Sequence, residues 1–433
     1  MTDEYLGAPV DQRSADALAK QGLRLTLVGD DPESFENWIQ VVARGFLDAE
    51  RTPEQVQGSR ERSGYRRKTI VLDAEAPDPD RPVATIASWP AELTLPGGTA
   101  VPAGAISSVT VAPTHRRRGI ARAMMEGECR FLAGRGIPIA VLTVSESTLY
   151  GRYGFAPAVS VAELTIDTRR AGWIGPRPEG RIDFVSRERF RGIAPEIHDR
   201  VRLAVPGELD VPAPHWDMFA GTHADAKDPG KIRAIQYRDA TGDVRGAALY
   251  TVQENSDDFA RSSVDVKYLV AETDDASAAL WRFLLELDLI AEVRAHEQPV
   301  DTPLLWMIAD QRAVKAELRD HHYLRILDVP RILAARSYAA PGEFRLAVAD
   351  PLGITSGEYV LRVDASGTAE VTQDGDVAGA IEVELGIADL SAIILGGVSP
   401  AVLAAAGRVR ASDVAALSRT FGWHRAPHLS FWY

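Results

Sequence analysis

The segment VTVAPTHRRRGIARAM, Val109 to Met124, constrains this chain more than any other. A β-branched run reads as a strand, Pro113-Thr114 as a turn, and the stretch from about Arg117 to Arg135 as a long helix. Three arginines and one glycine stand at the junction. Chemically this is an anion cradle. Glycine lets a backbone approach a ligand closely, and the free N–H groups of a first helical turn point at it. The helix dipole and the arginine charge favour a pyrophosphate there. The bland alternative is a helix start with solvated arginines. Cations oppose the dipole at that end, so a bound anion explains them better.

Strand and helix patterns alternate around the motif. Leu23 to Val28 reads as a strand, Asp30 or Asp31 as a cap, and Pro32 as the first helical residue. Phe35, Ile39, Val42 and Phe46 then fall on one helical face. Further strands are expected at Thr69–Leu72, Pro82–Trp89, Ala105–Pro113 and Pro138–Val144. After a Gly/Pro/Arg-rich run following Asp167 the pattern restarts. Strands are expected at Arg181–Val185, Ile232–Tyr237, Val244–Val252, Val264–Glu272 and Leu304–Ala309, with helices at Glu188–Val205 and Asp274–Arg294. This order resembles the first third and suggests a structural duplication. A helix at Asp328–Tyr338, strand hairpins and a return to helix make up the rest, which ends in HLSFWY.

A length of 433 residues suits two or three domains. With 45% hydrophobic and 25% charged residues the chain is ordinary globular material. Its net charge of −13 argues against a nucleic-acid partner and mildly favours cationic substrates. The lone Cys129 precludes an intramolecular disulfide and a cysteine-built zinc site. The N-terminus lacks the pattern of a signal peptide, and Leu385–Ala406 is interrupted by Asp389, two glycines and Pro400, so a cytoplasmic protein without a membrane span is expected.

Arg116-x-x-Gly119-x-Ala121 resembles the acetyl-CoA pyrophosphate signature of the GNAT acetyltransferases. Together with SESTLYGRYGFAPAV it is similar to the Eis (enhanced intracellular survival) family of aminoglycoside and lysine N-acetyltransferases. The resemblance implies an α/β chain with mixed sheets: an acetyl-CoA-binding GNAT domain at 1–170, a degenerate second one at 171–325, and a sterol-carrier-protein-like domain at 326–433. It further implies that Val109, Thr110 and Val111 line acetyl-CoA through their backbone. Arg117, Arg118, Gly119, Ile120, Ala121 and Arg122 would wrap the pyrophosphate, and Ser145 and Glu146 would sit near the pantetheine. By the same resemblance Tyr150 is the general acid, the Tyr433 carboxylate is the general base, and Phe46 and Asp48 line the substrate pocket. No metal is implied, and the assembly would be a homohexamer. Trp432 departs from the family, which usually has an acidic residue there.

These roles fit the chemistry. An attacking amine must lose a proton, and a departing thiolate must gain one. The acceptor is expected to be a polycationic amine: an aminoglycoside, a polyamine or a lysine side chain. Two other readings remain open, an apolar-ligand carrier on a vestigial GNAT scaffold and a dedicated protein-lysine acetyltransferase. His115 reads as serving the turn or a phosphate, Tyr153 as packing, His321-His322 as structural and Cys129 as inert. Phe46 and Asp48 could equally be a core residue and a solvated acid. The aromatic tail could instead merely seal the third domain. In the second domain Thr273-Asp274-Asp275-Ala276-Ser277 stands where the arginine turn would be, without glycine and with two carboxylates that repel pyrophosphate, so one acetyl-CoA per chain is expected.

Overall fold

The structure is a computed structural model and describes residues 2–375 and 377–433. The first stretch comprises α1 (Thr2–Leu6), α2 (Gln12–Ala19), β1 (Leu23–Leu27), α3 (Pro32–Gly45), α4 (Pro53–Arg62), β2 (Arg67–Asp73), β3 (Ala84–Thr94), β4 (Ala100–Val111), α5 (Ile120–Gly134) and β5 (Ile139–Thr143). Next come β6 (Ala156–Asp167), α6 (Thr168–Ala171), β7 (Arg181–Val185), α7 (Arg187–Arg202), α8 (Ala213–Ala220), β8 (Ile232–Arg238), β9 (Val244–Gln253), β10 (Ser262–Ala271), α9 (Asp274–Leu285), β11 (Ile290–Pro299) and β12 (Val314–Ile326). The last stretch holds α10 (Val329–Ala335), β13 (Gly342–Ala349), β14 (Gly357–Val363), β15 (Ala369–Gln373), β16 (Ile381–Gly386), α11 (Ile387–Ile393), α12 (Pro400–Ala405), β17 (Val409–Ala411) and α13 (Val414–Phe421).

Contacts divide the chain into two units. One holds residues up to Ala158, His322–His424 and Tyr433; the other holds Val159–His321 and Arg425–Trp432. In the first unit the strands run β1-β2-β3-β4-β5, completed by the end of β12, which pairs antiparallel with β5 through His322–Ile326. In the second they run β7-β8-β9-β10-β11-β6. Each sheet has a single parallel step, β4–β5 in one and β10–β11 in the other. The two sheets therefore repeat one plan, and the first is completed by a strand end, His322–Ile326, that lies outside its own run of sequence.

The cores follow the side-chain patterns. In the first unit Ile120, Met124, Met125, Cys129 and Leu132 of α5 pack with Leu25, Val71, Ile86, Ile106 and Leu142 of the sheet. Phe35 and Trp38 of α3 pack with Ile70, Leu72 and Ala87. In the second unit α9 buries Leu280, Trp281 and Leu284 against one set of strand residues, while Phe190, Ile197 and Trp216 of α7 and α8 meet another. The first unit also contains the five-stranded sheet β15-β14-β13-β16-β17. It is tied to the end of β12 by the ion pair of Arg325 with Asp350 (2.8 Å), both side chains fully buried. Asp350 also accepts backbone N–H groups of Leu352, Ile354 and Thr355, so its buried carboxylate is satisfied.

Several elements differ from the pattern reading. Phe46 is not on the buried face of α3, because the helix ends at Gly45 and Phe46 is its C-cap, 46% exposed. The long helix starts at Ile120 rather than near Arg117, since Arg117 (φ 64°) and Gly119 (φ 74°) are left-handed. The helix after Thr273 stops at Leu285, and Ile290–Pro299 forms β11 instead; Leu289, at φ 67°, breaks the helix. Leu304–Ala309 is no strand: Pro303–Trp306 forms a 3-10 turn, with the Thr302 side chain accepting from the Leu304 N–H. Among the described residues no helix is long and apolar enough to cross a membrane.

Candidate active site

The site of the first unit starts at a parting of strands. β4 and β5 pair from Ala103–Ile139 to Ile106–Leu142, and no further register pairs them. β4 meanwhile stays attached to β3, through Ala87–Ser107, Thr85–Thr110 and Ala84–Val111, with a bulge that sets Ser108 at φ 55°. The bulge is held by the Thr85 hydroxyl, which donates to the Ser108 carbonyl (2.8 Å) and lies 2.8 Å from the Thr110 hydroxyl. Val109 to Val111 thus lies where β4 is unpaired on its β5 side. Backbone groups there are available to a ligand in the manner of a strand edge.

At the end of β4 the chain makes the Pro113–His115 turn and enters α5 through Gly119. Gly119 provides no side-chain cap to this 15-residue helix, and a Cβ built on it meets nothing within 4 Å. The first-turn N–H groups and the space before them fit a pyrophosphate. Arg116 and Arg117 are exposed, whereas Arg118 is held by Asp73 (3.3 Å) and the Gln21 carbonyl (3.0 Å), and Arg122 pairs with Glu126 (2.6 Å). Ile120 is buried in the core and Ala121 half-buried. His115 is fully engaged, with Thr114 on Nδ1 (2.8 Å) and Asp73 on Nε2 (3.0 Å), so it buttresses the turn. Hydrogen bonds from the Glu75 N–H and His115 hold the Asp73 carboxyl below its usual range.

Beyond β5, Ser145 and Glu146 are exposed and lead into two short 3-10 turns. Tyr150 lies between those turns, half-buried, its ring edge-on to Phe155 at 6.3 Å. Burial, then the negative charge of Glu146, raises its phenol above the ordinary value, so it holds its proton at neutral pH. Tyr153 is buried in the core with Cys129, whose thiol burial pushes up to about 12.

Tyr433 reaches the same strand end. The main-chain oxygen of Tyr433 accepts a hydrogen bond from Thr143 Oγ1 (2.9 Å), at the last residue of β5. Its ring stands edge-on to Trp89 of β3 (5.2 Å) and to His322 of β12 (5.9 Å). Its hydroxyl lies 2.9 Å from His322 Nε2. Tyr433 is 8% exposed, so its side chain is anchored. Trp89 in turn is stacked by the Arg66 guanidinium (4.6 Å) and met by Tyr65 (5.5 Å). The sequence reading gave no role to Thr143 and Trp89, and read His322 as structural. Their only signal was residue type, since the partner is 111 to 344 positions away. Phe46 and Asp48 lie where α3 abuts β4: a Cβ on Gly45 would come within 2.4 Å of Thr110 Cγ2. Asp48 pairs with Arg51 at 2.7 Å.

Two sheets that each part after one parallel step agree with the family matches: two acetyltransferase (GNAT) domains match at residues 31–158 and 207–326, and a sterol carrier protein domain at 329–430. An "uncharacterized N-acetyltransferase" of Streptomyces avermitilis is 37% identical over 89% of this chain and 94% of its own. N-acetyltransferase Eis of Mycobacterium tuberculosis is 36% identical over 76% of this chain and 79% of its own. The crystal structure of Eis1 from Mycobacterium abscessus superposes with a TM-score of 0.80 at 26% identity, covering 95% of this chain and all of that one. The chain belongs to the Eis family of GNAT N-acetyltransferases: tandem GNAT domains followed by a sterol-carrier-like domain. It is an acetyltransferase, and acetyl-CoA use follows from its GNAT domains.

Proposed function

We propose that the chain transfers acetyl from acetyl-CoA to an amine of a polycationic acceptor, with Tyr433 as base and Tyr150 as acid. The observation that supports this most is the terminal carboxylate of Tyr433, fixed by Thr143 at the strand end where β4 and β5 part. A carboxylate held there accepts the proton of an incoming ammonium and favours a cation beside it. Acetyl-CoA supplies an acetyl thioester. The first turn of α5 with Arg116–Arg118 and Arg122 holds its pyrophosphate, the Val109–Val111 backbone orients it, and Ser145 and Glu146 lie along its arm. The Tyr150 hydroxyl, kept protonated by burial, holds the proton that a leaving thiolate requires. Phe46 and Asp48 contribute to the acceptor side, and the acceptor is an aminoglycoside, a polyamine or a lysine side chain. Domain limits near 170 and 325 and a homohexamer belong to the same reading. Exposed Trp306 and Ile174, drawn together where the Ile174 N–H bonds the Met307 carbonyl, favour self-association.

A thiol-release assay with acetyl-CoA and a panel of aminoglycosides, polyamines, lysine peptides and neutral amines tests the acceptor class. Neutral amines as best acceptors, at rates indifferent to salt, would refute it. Deleting Tyr433, or appending residues after it, tests the base. Turnover should fall by ~10²–10⁴ while acetyl-CoA affinity stays unchanged.

A further inference from the structure

The residues just before Tyr433 are held by the second unit. Leu429 and Phe431 are buried and Trp432 is half-exposed, the alternation of an extended strand. The segment is bonded along its length. The Ala426 N–H donates to Asp301 (2.9 Å) and the His428 N–H to the Pro206 carbonyl (2.8 Å). His428 Nε2 donates to the Glu297 carbonyl (2.6 Å), and His321 Nε2 to the Phe431 carbonyl (3.1 Å). Glu208, 4% exposed, takes both His428 Nδ1 (3.3 Å) and the Ser430 hydroxyl (3.3 Å). The Phe431 ring is enclosed by His198, His215 and Phe219, at 6.5, 6.0 and 6.2 Å. Gly207, at φ 94°, makes room: a Cβ there would lie 3.0 Å from the His428 carbonyl oxygen.

These contacts fall at a telling place. β10 and β11 are paired from Ser262–Ile290 to Val266–Ala295 and then part, as β4 and β5 do. A cleft of about 470 Å³ follows, lined by Tyr268 and Ala271 of β10, Thr273 and Asp274 at the start of α9, and His428 and Ser430 of the tail. The second domain thus keeps the GNAT cleft but walls it with the chain's own C-terminal segment.

We propose that this second domain serves as the holder of the C-terminus, with Glu208 and the Phe431 cage as positioning elements for the Tyr433 carboxylate. This rests on the reading of that carboxylate as the base. The domain without an arginine turn then still contributes to catalysis, through the tail. Holding Leu429 and Phe431 restricts the one-residue arm on which Tyr433 sits, which favours a near-attack geometry.

Carboxypeptidase Y acting on the folded full-length protein reads the holding directly, by mass spectrometry of the released residues. Glu208→Gln and Phe431→Ala should release the last residues at least about tenfold faster, since losing a buried aromatic or a buried pair opens the tail more often. The same variants should lower kcat by at least about tenfold with KM for acetyl-CoA within about twofold, and Phe431→Leu should restore part of both. Circular dichroism melting identifies a variant that fails to fold, and Glu208→Gln, which keeps the volume, then decides the question. Release at the wild-type rate overturns the holder. Faster release with undiminished kcat overturns the positioning role. Full turnover after deletion of Tyr433 refutes the carboxylate reading alone, because the release rates do not depend on it.

Discussion

Between β4 and α5 the first domain presents Arg116 and Arg117 and enters its helix on Gly119, with no side chain over the first N–H groups. Between β10 and α9 the second domain has Thr273, whose hydroxyl accepts the Ala276 N–H, followed by Asp274 and Asp275. Strand order, parallel step and parting are the same in both. What differs is who satisfies the helix start: in the second domain the chain does so itself, with a cap and two carboxylates that suit the dipole. One strand plan thus carries two helix starts of opposite charge, set by four or five residues.

Four changes would break or sharpen this contrast. The largest effect is expected from Tyr150→Phe, which removes the phenol proposed as the acid. Turnover should fall by ~10² or more with acetyl-CoA binding retained, as read by thiol release and calorimetry. Undiminished turnover would move the acid elsewhere. Gly119→Val should weaken acetyl-CoA at least about tenfold, because the left-handed turn is strained and the ligand's approach is filled. Calorimetry on the wild type should also show one equivalent per chain; two would mean that the second cleft binds as well.

Glu297 offers a test at the mouth of the second cleft. Burial, then the charge of Glu163, raises its carboxyl to about 7. The folded chain therefore keeps a proton that the unfolded chain releases, and this contribution is present below the ordinary Glu range and lost as pH rises towards 7. Glu297→Gln removes the penalty, so its unfolding free energy relative to wild type, read by denaturant titration, should be higher at pH 8 than at pH 5, by on the order of 2 kcal/mol at ~1.4 per pKa unit. A difference independent of pH would contradict the assignment. The smallest effect is expected from Thr273→Ala, which removes the second domain's cap. Stability should drop by about 1 kcal/mol in denaturant titration while acetyl-CoA affinity stays put. An altered affinity would show that the two helix starts are not independent.

Much of this was readable locally. The RRRG turn, the apolar faces of α3 and α5, and the acids after Thr273 act through neighbours a few residues away, so a linear pattern suffices to find them. Phe46 misled because an apolar residue in phase with a helix says nothing about where the helix stops; β11 was hidden because a helix-compatible run continued past a left-handed Leu289. His321 and His322, read as structural, turn out to contact the tail itself, at Phe431 and Tyr433.

The sequence by itself determined the charge and backbone freedom at each helix start, since these depend on the identity of adjacent residues alone. Only tertiary structure decided that β6 pairs with β11, that β12 completes the first sheet beside β5, that Ser430 meets Glu208, and that Tyr433 meets Thr143. Such contacts join residues separated by 125 (Asp167 and Glu292) to 290 (Thr143 and Tyr433) positions. At those separations strand edges and aromatic cages are generic surfaces, and which one a segment meets depends on how the whole chain buries its apolar area.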